Sequence, residues 1–250
     1  MPPSNTSGLA GRAFVAIWHD IAPEGLGTFY EWHNREHMPE RLAIPGFQRG
    51  RRYIRVAGEG QEFFNLYEVD SFDVLVGPDY LARLNAPTPW TKQAVAHFRD
   101  VTRGLCRVAG SLGTGQGGVI ATLRFAVSMG RDAAMRQMLA DESIPALLSQ
   151  PGIVGAHAGC ADTAGSSIPT AEKLARQSPT DIPSWVMLVE GISHEHLGRA
   201  LPAARCAELL ALGGVPDEPV TGFYRLEAEC LGGLQASARS SRGEIEPAHA

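Results

Sequence analysis

Apolar and polar positions along this 250-residue chain follow two alternating periods, and the places where the period changes mark out the elements. Ala13 to Trp18 is an apolar run of strand length that opens into His19-Asp20-Ile21-Ala22-Pro23. Pro23 suits the first turn of a helix reaching to about Leu42. Leu26, Phe29, Tyr30, His33 and His37 share one face of that helix, and Glu31, Asn34 and Arg35 lie on the other. Two imidazoles four residues apart therefore sit on the side a helix normally buries. Pro45-Gly46 is a turn, after which Phe47, Arg49, Arg51, Tyr53 and Arg55 alternate with Gln48, Gly50, Arg52 and Ile54 as in a strand. Gly58-Glu59-Gly60 predicts a hairpin into a strand over Glu62–Val69. Ser71 or Asp73 caps a predicted helix from about Phe72 to Leu84. Ala86-Pro87-Thr88-Pro89-Trp90 interrupts it, a further helical piece reaches Arg99, and Val101–Val108 completes a β-α-β-β-α-β order.

The second half repeats the punctuation of the first. Glu36, Pro39 and Pro45-Gly46 recur at one constant displacement as Glu142, Pro145 and Pro151-Gly152, and Leu105-Cys106-Arg107-Val108 is echoed by Phe223-Tyr224-Arg225-Leu226. Trp185–Glu190 echoes Phe63–Glu68 at a larger displacement, so the second half holds extra residues, a polar stretch around Ala161–Pro183 that reads as an extended loop. The economical organisation is a tandem duplication. Its parts are a flexible start at 1–12, one unit over 13–109, a Gly-rich linker at 110–117, a second unit over 118–230 and a disordered tail at 231–250. The glycines of the linker lack the strand-then-helix context of a phosphate-binding loop.

Glu36-His37-Met38-Pro39, then Pro45-Gly46-Phe47 and the basic strand ending Arg52-Tyr53, resembles the signature of the dimeric α+β barrel superfamily, in particular its EthD-like members. The resemblance implies two ferredoxin-like βαββαβ units whose antiparallel sheets pack as an α+β barrel within one chain. A monomer then suffices, with a homodimer also compatible. It also implies a pocket for a small organic molecule. Members of that superfamily include cofactor-free monooxygenases, lactone isomerases, polyketide cyclases, dehydratases and haem enzymes, so the fold does not fix one reaction.

Composition narrows the field further. With 44% hydrophobic and 20% charged residues and a net charge of -5, the chain has the balance of a globular protein and offers no general attraction for nucleic acid or an anionic membrane. Cys106, Cys160, Cys206 and Cys230 are scattered, without a CxxC pair, which fits reduced thiols. The first residues lack the apolar core of a signal peptide and no run is long enough for a membrane helix, so the default expectation is the cytoplasm.

The candidate chemistry lies in the first half. Where it has His33 and His37, the second has Leu139 and Ser143, so the scaffold recurs and the titratable groups do not. A half-buried histidine pair suits proton transfer, with His37 as general acid or base and His33 assisting. Arg49 and Arg51 are expected to hold an anionic or carbonyl group of an aromatic or cyclic substrate, with Tyr53 and Tyr67 as hydrogen-bond donors and Trp32, alongside Trp18 and Trp90, as an aromatic wall. Core packing explains buried histidines and aromatics equally well, and ion pairing explains an arginine strand. His19-Asp20 is a second candidate pair. His33-Asn34-Arg35-Glu36-His37 matches the H-x-x-E-H zinc pattern, but Pro39 follows at once and no distant third ligand is identifiable. Nothing in the sequence demands a metal or haem. The expectation is a cofactor-independent lyase or isomerase, with a cofactor-free monooxygenase of phenolic or polyketide-type substrates, or a ligand-binding barrel without chemistry, as alternatives.

Overall fold

The computed structural model describes residues 8–176, 178–201 and 219–233. Residues 1–7, Cys206 and residues 234–250 of the expected tail lie outside them. In the first half β1 (Ala13–Ile21) leads to α1 (Leu26–Trp32), a π-helical turn (His33–His37) and α2 (Met38–Leu42). β2 (Phe47–Gly58) and β3 (Phe63–Val69) follow, then α3 (Phe72–Val76), α4 (Pro78–Asn85), α5 (Pro89–Val95) and β4 (Phe98–Gly113). The second half runs β5 (Val119–Phe125), α6 (Asp132–Met138), another π-helical turn (Leu139–Ser143), α7 (Ile144–Leu148) and β6 (Ile153–Ala161). α8 (Thr163–Ser167), α9 (Ala171–Arg176), β7 (Thr180–Asp181), β8 (Trp185–Gly191), α10 (His194–Ala200) and β9 (Val220–Leu231) complete it.

Three expectations change. The helix expected over 72–84 is broken at Gly77, because Pro78 opens a new helix at a position where its missing N–H costs nothing. Gly110–Gly113, expected as linker, extend β4, since pairing with Ala158 to Gly155 of β6 holds this glycine-rich backbone straight. The expected loop over 161–183 contains α8, α9 and β7. Asp162 caps α8 by accepting from the Gly165 N–H at 2.8 Å.

The strands form one closed ring in the order β1-β3-β2-β9-β5-β8-β6-β4, with β4 returning to β1, and every neighbouring pair in it is antiparallel. Each half supplies four adjacent strands in matching order, β4-β1-β3-β2 and β9-β5-β8-β6. The outer strands of each quartet find partners only in the other, through β2–β9 and β4–β6, so closure within one chain removes four exposed sheet edges. β7 adds a short parallel pairing to β4 at Val101 and Thr102. Gly46 and Gly152, at matching turns, have φ of +91° and +79°, a conformation that favours glycine.

Side chains alternate across this sheet. Phe14, Trp18, Phe64 and Tyr53 from the first half meet Val186, Leu188 and Tyr224 from the second and fill the lumen. An eight-stranded barrel is just wide enough for that. At one end Arg51 spans the lumen. Its Nη1 donates to both oxygens of Glu190 at 3.0 Å, and its Nη2 donates to Glu68 at 2.8 Å. Glu68 also receives Arg49, at 2.7 and 2.8 Å, and Glu190 receives the Gly117 N–H at 2.9 Å. Burial alone would raise the Glu190 pKa, but the His157 hydrogen bond and the Arg51 charge outweigh it and take the carboxyl down to about 2. Helices cover the outer face, and no helix among the described residues is long and apolar enough to cross a membrane.

Removing one partner of a buried ion cluster strands the others. Arg51→Met is expected to cost about 3–5 kcal/mol in a urea titration, because Glu68 and Glu190 stay buried without their shared cation. The Glu190 contribution is present above the ordinary carboxylate pKa and is lost as the pH falls towards about 2.

Candidate active site

Pro39 shapes the site before any side chain does. It has no N–H, and in an unbroken α-helix its ring would meet the carbonyl of Arg35. The chain widens instead. Met38 N–H reaches back five residues to the His33 carbonyl, and in the second half Ile144, just before Pro145, reaches Leu139 in the same way. This π turn holds His33 and His37 on the sheet-facing side, 1% and 7% exposed, with ring centroids 5.4 Å apart. Glu36 points elsewhere: it accepts from Thr88 and Thr91 hydroxyls at 2.6 and 3.0 Å, which ties the turn to the start of α5. Glu36 therefore does not join the two histidines as H-x-x-E-H would require. Among the described residues no three His, Cys, Asp or Glu side chains converge as a metal-binding group.

The histidines face a cavity of about 30 Å³ on the outside of the barrel, between the first quartet of strands and its helices. Sheet residues Ile17, Phe47, Asn65, Tyr67 and Arg103 form its floor. Trp32, Arg41, Tyr80, Val95 and Phe98 line it with the histidines, and α9 adds Glu172 and Arg176. At this size it holds about one or two water molecules. Three polar atoms of its lining are buried without a hydrogen-bond partner, His37 Nδ1, Asn65 Oδ1 and Arg176 Nε. Orphaned polar atoms around a cavity mark a place for a polar guest.

Two neighbours fix the proton on His33. Arg52 Nη1 lies 3.2 Å from Nδ1, and a guanidinium can only donate, so Nδ1 must be the acceptor. Nε2 then carries the proton and points at the Tyr67 hydroxyl oxygen, 3.2 Å away. With its oxygen accepting from His33, the Tyr67 O–H is left to donate into the cavity. Burial first, then the charge of Arg52, holds the His33 pKa well below the usual imidazole value. Burial first, then Arg41 and His33, does the same for His37, which packs on Trp32 with centroids 4.3 Å apart. Both rings are neutral at physiological pH and able to accept a proton. Burial likewise raises the Tyr67 pKa, so the phenol stays protonated as a donor.

His33, His37, Trp32 and Tyr67 thus come together as expected from the sequence, whereas Arg49, Arg51 and Tyr53 do not join them. These three face the lumen, on the opposite side of the sheet, and the two arginines are consumed in ion pairs with Glu68 and Glu190. Strand alternation makes the choice absolute: Arg52, one residue on, is the arginine that reaches the histidines, and it also donates to Asn34 at 2.8 Å and to Glu227 at 3.2 Å. Trp18 lies in the lumen, its Nε1 donating to Thr122 at 3.0 Å, and Trp90 packs at the edge of the cluster around Phe29 and Phe63. His19 and Asp20 point to opposite sides. His19 stacks on Phe98 at 4.3 Å with Nε2 accepting from Asn65 at 2.8 Å, and burial takes its pKa down to about 3. Asp20 accepts from the Glu62 N–H at 2.6 Å.

Arg41, Asn65, Tyr80, Arg103, Glu172 and Arg176 were not among the sequence candidates. Arg41 and Glu172 form an ion pair that joins α2 of the first half to α9 of the second. Ala171-Glu172-Lys173-Leu174-Ala175-Arg176 has helical spacing with acid and base four apart, a signal legible in the sequence. Its position over the other half was not.

No family model matches the chain, and no curated protein matches it. Solved structures do. An anthrone oxidase-like protein aligns over 92% of this chain and 95% of its own, at 14% identity and a TM-score of 0.58. A protein of Lactobacillus acidophilus NCFM, provisionally called a monooxygenase, aligns over 89% and 97% at 9% identity and a TM-score of 0.56. Another of that provisional description, from Fusobacterium nucleatum subsp. nucleatum ATCC 25586, aligns over 90% and 98% at 7% identity and 0.54. At such identities the likeness is one of fold, an α+β architecture with a closed antiparallel barrel.

Neutral buried imidazoles make stability sensitive to acid. His19, His33 and His37 have folded-state pKa values below the unfolded value near 6.5, so each takes up a proton on unfolding once the pH falls below it. Below about pH 6 stability is expected to fall by up to about 1.4 kcal/mol per pH unit for each histidine, for as long as the pH stays above that histidine's folded value. Urea titrations across that range are expected to show a correspondingly shallower decline for His37→Gln.

Proposed function

We propose that the protein is a cofactor-free monooxygenase of a small electron-rich aromatic molecule, a phenol or an anthrone. The observation that carries this reading is a buried pair of neutral histidines beside a phenol donor and three unpartnered polar atoms at one cavity. The same proton-transfer groups would serve the lyase or isomerase expected from the sequence. What favours oxygenation is that the fold neighbours bear the names monooxygenase and anthrone oxidase-like. Within that fold, Glu36-His37-Met38-Pro39 gives the chain its EthD-like character, and the matching quartets and π turns support a tandem duplication whose leading copy kept the imidazoles.

An anthrone methylene needs no external reductant. His37 removes a proton from the substrate, and the Tyr67 O–H donates to the oxyanion that develops. The anion passes an electron to dioxygen, and recombination forms a carbon–oxygen bond to a hydroperoxide. Loss of water from the hydroperoxide leaves a carbonyl, so the two C–H bonds of the methylene and one dioxygen give one C=O and one water. His33, held by Arg52, keeps Tyr67 aimed. His37 is a weak base while the cavity is empty, first because it is buried and then because Arg41 stands beside it, and an anionic substrate offsets the second cause and strengthens it. A cavity of about 30 Å³ admits a ring only when its lining side chains move apart.

With anthrone as the probe, oxygen-electrode traces are expected to show one dioxygen consumed per anthraquinone formed. His37→Ala should lower kcat by about 10²–10⁴-fold. Tyr67→Phe should lower it about a hundredfold. Consumption of anthrone without oxygen uptake or anthraquinone would return the chemistry to a lyase or isomerase. Oxygen uptake unchanged in a folded His37→Ala protein would remove the histidine from the mechanism.

A further inference from the structure

The cavity carries more positive charge than its own residues neutralise. Among its lining side chains Arg41, Arg103 and Arg176 face a single carboxylate, Glu172. Arg41 takes most of that carboxylate through their ion pair and has Glu40 at 3.2 Å besides. Arg176 reaches Glu172 only at 3.8 Å. Arg103 donates to the Tyr80 hydroxyl at 2.9 Å and, among the described residues, has no carboxylate within ion-pair reach. Both arginines are 5% exposed, so water does little to screen them. Arg176 Nε has no partner, while its Nη1 donates to the Thr180 hydroxyl at 3.4 Å and the guanidinium lies over the Phe98 ring at 5.7 Å. Lys173, outside the lining, donates to the Ser166 and Ile168 carbonyls, and burial first, then Arg103 and Arg176, draws its pKa down to about 8. In a chain of net charge -5 this concentration of cations is local, not compositional.

We infer that the cavity is an anion site, and that Arg103 and Arg176 receive a carboxylate of the substrate while Arg41 is held in reserve by Glu172. A buried guanidinium with no carboxylate in reach, as at Arg103, or with a shared one only at 3.8 Å, as at Arg176, is costly to maintain, and a planar carboxylate matches its paired N–H donors. The two arginines come from different halves of the chain, β4 and α9, so the subsite exists only in the closed single-chain barrel. The substrate class is then an aromatic acid, anchored at one end by the arginines and presented at the other to His37 and Tyr67. This deepens the proposed function and rests on its placing the substrate in this cavity, but its test needs no turnover.

Titration calorimetry on the full chain, at constant ionic strength set with chloride, uses formate, benzoate and nitrate as probes. Saturable binding of formate and benzoate is expected, weakened at least tenfold by Arg103→Met and by Arg176→Met, and unchanged by Arg35→Met on the exposed face of the first π turn. Circular dichroism checks folding; should either Met variant fail to fold, Arg103→Lys and Arg176→Lys keep the charge, lose the fork, and are expected to weaken binding to the same degree. No saturable heat with the wild-type chain overturns the inference, as does binding that the arginine variants leave intact. Nitrate binding without benzoate binding also overturns it, by leaving an inorganic anion site. If the carboxylates bind as expected but anthrone consumes no oxygen, the subsite stands and the oxygenase reading falls; oxygen uptake by a chain that ignores carboxylates gives the reverse.

Discussion

A filled barrel lumen is the constraint on which the rest of this structure depends. Among the described residues eight strands close a ring that leaves no sheet edge open except for the short β7 addition, and the inward side chains of both halves occupy the space it encloses. Nothing larger than a side chain can enter there. Any guest must therefore sit outside the ring, under the helices, where the sheet presents its other face. Alternate residues of one strand thus meet two environments: Phe64 and Leu66 belong to the lumen, Asn65 and Tyr67 to the cavity. The same rule separates Arg51 from Arg52, so neighbours in sequence do unrelated work.

The two halves use one backbone plan for different ends. Both place a π turn just ahead of a proline, and both turn into the next strand at a glycine with positive φ. In the second half the positions of the histidines hold Leu139 and Ser143, and the region around Leu139 packs as ordinary core with Met135, Ile144 and Leu147. The second half contributes in another way. Its insertion lays α9 against α4 and α5 of the first, bringing Glu172 and Arg176 to a cavity whose other walls lie far away in sequence. Closure and site assembly are therefore one event, since the β4–β6 pairing that completes the ring also precedes the insertion.

Burial first, and the arrangement of charge second, keep the imidazoles of the site neutral. Arg52 pins one nitrogen of His33 and passes an orientation, through Nε2, to the Tyr67 hydroxyl. Arg41 stands beside His37 and opposes its protonation. Glu36, the one carboxylate in the histidine segment itself, is occupied by the threonines at the start of α5 and does not offset these cations. The result is a pair of unprotonated bases in a positively charged surround, an environment that favours anions formed by proton loss.

By itself the sequence determined the local elements and much of the scaffold. Hydrophobic period, turn residues and the recurrence of Glu36, Pro39 and Pro45-Gly46 gave the β-α-β-β-α-β order and the segment where the histidines lie, because these signals act over a few residues. His33, His37, Trp32 and Tyr67 were legible for the same reason: a helix face and a strand face are set by spacing. Only the tertiary structure decided which face of β2 met the helix, since alternation says that Arg51 and Arg52 point apart but not which side is the lumen. It alone also decided that Arg41, Arg103, Glu172 and Arg176 converge, because their meeting follows from ring closure and the placement of α9 over a distant half. Such contacts are fixed by packing between elements, which no local period encodes.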